Sequence, residues 1–122
     1  MRRWNGWGDD TVSSSIPPRA AEALAAWVGP GAPPRDATPE EALASVPPSR
    51  LTAEDGLSVD PWERLRHARG QSLPDWVALR SGRPGVVPDA IVWPESGEQV
   101  AALVARAGRD GVRLVPYGGG TS

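Results

Sequence analysis

Tyr117-Gly118-Gly119-Gly120-Thr121-Ser122 is the stretch of this chain whose residue types and spacing best suit anion chemistry. Three consecutive glycines let backbone N–H groups turn toward a ligand with no Cβ in the way, and the two hydroxyls add donors. That combination suits a diphosphate. The same residues would also serve as a flexible tail or a linker. They match neither the GxGxxG fingerprint nor a P-loop, which needs Lys after its last glycine.

Other chemistry-bearing residues are sparse. His67 is the single histidine, and it falls on a predicted helix, where a solvated or structurally bonded role is the simpler reading. Asp9-Asp10 and Glu40-Glu41 read as helix-start or solvated charges. The chain has no cysteine, which excludes disulfides and thiolate metal sites, and no metal site is expected. All 13 basic residues are Arg, and the net charge of -2 argues against a nucleic-acid partner.

The elements that must carry the glycine run are legible just before it. Ala90-Ile91-Val92-Trp93, bounded by Pro88 and Pro94, reads as a buried strand. Ser96-Gly97-Glu98-Gln99 is a capping box, followed by Val100, Leu103, Val104 and Ala107 at helical spacing, with Gly108 and Gly111 to end the helix. Val112-Arg113-Leu114-Val115 reads as a second strand. Strand, helix, strand predicts a parallel βαβ unit with the glycine run at the carboxyl end of its second strand, where ligands bind in open parallel sheets.

The first 83 residues differ in character. Fourteen prolines and fourteen glycines punctuate the chain. A helix is predicted from near Ser15 to Val28, with Leu24, Trp27 and Val28 as a packing stripe. Thr38-Pro39-Glu40-Glu41 is a capping box for a short helix that stops before Pro47-Pro48. A loop should follow to residue 59. Asp60-Pro61-Trp62-Glu63 starts a further helix toward Gly70, and Ser72-Leu73-Pro74-Asp75 starts one through Arg80 that Gly82 closes. Trp4 and Trp7 flank the turn dipeptide Asn5-Gly6 and should bury aromatic area against a neighbouring surface. Met1-Arg2-Arg3 leads into Trp4-Asn5-Gly6 rather than an apolar run, so a signal peptide is not expected, nor is a membrane span. A cytoplasmic protein is the expectation.

Pro88-Asp89-Ala90-Ile91-Val92-Trp93-Pro94-Glu95-Ser96, the helix from Glu98, and Val115-Pro116-Tyr117-Gly118-Gly119-Gly120-Thr121-Ser122 together resemble the opening of the FAD-binding domain of the vanillyl-alcohol oxidase/p-cresol methylhydroxylase superfamily. Arg3-Trp4-Asn5-Gly6-Trp7-Gly8, and Arg69-Gly70-Gln71-Ser72-Leu73 leading to Leu79-Arg80-Ser81-Gly82, look like the alkyldihydroxyacetonephosphate synthase branch. The resemblance implies an α+β fold, with residues 1–83 as a helical lead-in and 84–122 as the start of the cofactor domain. It implies that Pro116, Tyr117, Gly118, Gly119, Gly120, Thr121 and Ser122 contact the FAD diphosphate.

Members that link FAD covalently through this loop carry a His in it. Thr121 stands near that place here, so non-covalent FAD is implied. The implied substrate is a hydroxy acid, an alcohol or an acyl-dihydroxyacetone phosphate, and a homodimer is among the expected assemblies. The family's catalytic residues would lie beyond Ser122, so this chain would be the front part of a longer enzyme. The competing reading is a small helical interaction module with a glycine tail and Trp anchors.

Overall fold

The computed structural model describes residues 3–32, 35–54 and 56–120. Each predicted helix is present, though the first begins at Pro18, with Pro17 as its cap, rather than near Ser15. Helix α1 spans Pro18–Val28, α2 Pro39–Ala44, α3 Pro61–Arg66, α4 Leu73–Arg80 and α5 Gly97–Asp110. Thr38 closes a full capping box with Glu41, whose backbone N–H donates to the threonine hydroxyl while its carboxylate accepts from Thr38 N–H. Asp60, Ser72 and Ser96 each accept from the backbone N–H three residues on. At Ser96 the box is only half made, because the Gln99 side-chain oxygen accepts from Glu95 N–H instead. Gly111 ends α5 with φ of 67°, a left-handed position that suits glycine.

Helix α3 stops at Arg66, short of the Gly70 that the sequence suggests. His67 lies at its carboxyl cap, and its ring Nδ1 is 2.6 Å from the Glu63 carbonyl oxygen. A carbonyl only accepts, so Nδ1 carries a hydrogen. The ring thereby takes the acceptor that the next helical N–H would have used, and His67 N–H turns to Arg64 O at 3.3 Å.

The sheet differs from the predicted βαβ unit. Strand β1, Leu57–Ser58, pairs antiparallel with β2, Ile91–Val92, in the register Leu57 to Val92 and Ser58 to Ile91. The predicted loop over 47–59 thus contributes a strand. Residues 112–115 join no ladder among the described residues, and no parallel pair forms there. The α+β character holds, with one short antiparallel pair. Strand propensity in 112–115 is not enough by itself, because a strand is stabilised only by a partner's backbone groups.

The core is small. Among the described residues Ala42, Leu65, Leu79, Pro84, Val87 and Ala107 are the buried apolar ones, and Arg64 is buried at 2% exposure. Helix α2 packs on α3. Arginines tie the long connections to this frame. Arg64 Nε donates to Pro88 O at 2.7 Å, and Arg69 Nε donates to Pro84 O at 2.7 Å while its Nη1 meets Asp75 at 3.1 Å. Arg80 pairs with Asp36 as Ala37 N–H donates to Arg80 O at 2.7 Å, and Arg106 reaches Glu54 at 2.8 Å. Gly85 has φ of 76°, and a Cβ there would sit 2.6 Å from Arg69 Nη2, so both backbone shape and the arginine's position require glycine. Helix α1 is exposed along its whole length, Trp27 at 88%, so the predicted packing stripe is not buried.

Candidate cofactor-binding site

The glycine run is carried by α5 and the extended segment behind it, and it is anchored by α3. Pro116, Gly118 and Gly119 are exposed, Tyr117 is half-buried, and Gly120 is buried with φ of 72°. Thr121 and Ser122 lie outside the described residues. A Cβ at Gly118 would meet no atom within 4 Å. Among the described residues, the amides of Gly118, Gly119 and Gly120 make no backbone hydrogen bond. Gly118 and Gly119, exposed and without a backbone hydrogen bond among the described residues, fit an anion such as a diphosphate.

Tyr117 is the hinge of this arrangement. Its hydroxyl donates to Arg66 O at 3.3 Å, 51 positions away in sequence. Its ring meets the His67 ring edge-on, with centroids 4.6 Å apart and planes at 67°. His67 also meets Trp93, just past β2, at 6.1 Å and 77°. The last turn of α3 thus touches both the end of β2 and the entrance of the glycine run. Sequence spacing could not reveal this, since the contact is long-range. The structural role expected for His67 is what its hydrogen bond to Glu63 O displays.

The remaining candidates serve local structure. Glu41 completes the α2 cap, with Glu40 beside it in the first turn. Asp9 Oδ1 accepts from both the backbone N–H and the hydroxyl of Thr11, at 2.9 and 2.7 Å. Trp7 packs edge-on against Trp76 at 6.0 Å, so one of the two N-terminal tryptophans finds an aromatic partner in α4. Trp4 instead borders an open cleft of about 570 Å³ with Arg3, Trp62 and Arg66. None of the described residues of the glycine run lines that cleft.

Electrostatics near β2 are set by Arg50, whose backbone N–H and Nε both donate to Asp89 Oδ1, at 3.1 and 3.0 Å. These hydrogen bonds, the side-chain one foremost, hold the Asp89 carboxyl down at about 2. The Ser72 hydroxyl and then Arg69 lower Asp75 in the same way. Among the described residues, no three His, Asp or Glu side chains converge as a metal site would require, and no helix is long and apolar enough to cross a membrane.

No protein-family model and no curated protein matches the chain. Two solved structures of alkyldihydroxyacetonephosphate synthase do, each over 99% of this chain at 24% identity, with TM-scores of 0.72 and 0.71. The chain spans 28% of their length. Its helices, short sheet and glycine run therefore share the fold of a part of alkyldihydroxyacetonephosphate synthase.

Proposed function

We propose that this chain is part of an FAD-dependent enzyme and that Pro116–Ser122 contributes to binding the cofactor's diphosphate. Residues 1–83 then form a helical lead-in and 84–122 the beginning of the FAD-binding domain. The observation that carries this reading is the likeness to alkyldihydroxyacetonephosphate synthase across nearly the whole chain. The exposed Gly118 and Gly119, whose amides make no backbone hydrogen bond among the described residues, support it chemically. Bound FAD would supply redox chemistry or an adduct-forming flavin ring. The residues of this chain would do something narrower: Gly118, Gly119 and Gly120 would donate N–H groups to phosphate oxygens, and Tyr117 would hold their starting point against α3. No histidine stands in the glycine run, which favours non-covalent FAD. An alcohol, a hydroxy acid or an acyl-dihydroxyacetone phosphate remains the proposed substrate class. The proposal places the protein in the cytoplasm and includes assembly as a homodimer.

The test is to purify the complete product of the gene encoding this chain and record its visible spectrum after gel filtration. A flavin spectrum whose chromophore is released to the supernatant on acid precipitation is expected, as is its loss on Gly119→Asp, which puts a side chain and a negative charge where phosphate would lie. The 122-residue chain alone should retain little or no FAD, because one glycine run supplies a small share of a dinucleotide's contacts. A colourless complete product would sink the flavoenzyme reading and favour the interaction module. Tight stoichiometric FAD on the 122-residue chain would refute the incomplete-site account.

A further inference from the structure

We propose that His67 is a positioning residue for the glycine run: its ring, pinned to its own helix, clamps Tyr117 and so holds Gly118–Gly120 in place. The inference rests on the diphosphate reading above only for what the run binds. Its basis is that no ladder holds the segment leading into the glycines. Residues 112–115 pair with no strand among the described residues, and Leu114 and Val115 are exposed. The first firm attachment after α5 is Tyr117, and both ends of that side chain are caught by the last turn of α3. The hydroxyl donates to Arg66 O and the ring packs edge-on against His67.

The histidine is itself immobilised. Its Nδ1–H donates to Glu63 O at 2.6 Å, which fixes the ring's orientation, and Trp93 supports it from the β2 side. Edge-to-face ring pairs at such separations are attractive and directional, so the contact sets Tyr117's angle as well as its depth. Gly120, at the far end of the run, is buried with a positive φ. An anion-binding run held this way loses less conformational entropy when it binds.

The clamp is tested by 15N relaxation on the 122-residue chain and its His67→Ala and His67→Phe variants. Unsubstituted, Gly118–Gly120 should show order parameters near those of α3, about 0.85. His67→Ala should drop them below about 0.6 while α3 and α4 stay rigid. His67→Phe keeps an aromatic edge and should restore them. A run that is mobile before substitution, that stays rigid in His67→Ala, or that Phe fails to restore overturns the clamp. Should His67→Ala also melt α3, Tyr117→Ala decides from the other side: a mobile run beside an intact α3 supports the clamp, and a rigid run overturns it. Millimolar inorganic pyrophosphate then probes the reading beneath. Shifts of the three glycine amides, weakened about tenfold in His67→Ala, are expected. A clamp present with no such shifts leaves the positioning role standing and overturns the diphosphate reading.

Discussion

Arg50 and Asp89 show how much this chain asks of single polar residues. Arg50 follows the proline-rich stretch after α2 and Asp89 precedes β2, so their hydrogen bonds join two connections 39 positions apart. Asp89 titrates at about 2 when folded, below the ordinary value near 3.9. Its contribution to stability is therefore complete above pH ~4 and drains away as pH falls through the folded value. Unfolding midpoints measured by circular dichroism from about pH 5 down to about pH 2 should fall for the unsubstituted chain. The gap to Asp89→Asn should narrow over the same range. Asp36 and Asp75, lowered by Arg80 and by Ser72 with Arg69, leave part of the acid sensitivity in that variant. A constant gap across the range would show that the Arg50–Asp89 tie contributes nothing through charge.

At the scale of elements, side-chain caps open α2, α3, α4 and α5. Helix α2 has six residues, too few to persist by propensity, yet both halves of its capping box are made. Thr38→Ala should cost about 1 kcal/mol. The loss should be seen locally, as a fall in helical Cα shifts over residues 39–44. Unchanged shifts would mean that packing of Ala42 against α3 is sufficient. These caps were legible in the sequence because a cap is a local contract between residues three apart. The carboxyl end of α3 was not, since a His ring competing for the Glu63 carbonyl leaves no mark in the spacing of apolar residues.

The whole molecule exposes apolar surface that its own core does not use. Trp27 and Val28 on α1, Val104 on α5 and Val115 beyond it are all more than half exposed, while the buried apolar side chains among the described residues are small or medium. Trp27→Ala should change the urea unfolding free energy by no more than about 0.5 kcal/mol. Leu65→Ala, at a site 1% exposed, should cost about 2–5 kcal/mol or abolish cooperative unfolding. A large loss at Trp27 would show that α1 packs against this chain in solution. By itself the sequence determined the capped starts of α2 to α5, the run of β-formers at Ile91–Val92, the stop at Gly111 and the residue types of the glycine run. Each of these is governed by neighbours within a few positions. Only tertiary structure decided that β2 pairs with Leu57–Ser58 rather than with 112–115, and that Tyr117 docks on His67. Strand partners and ring contacts are chosen among surfaces distant in sequence, by which of them the folded chain brings within reach.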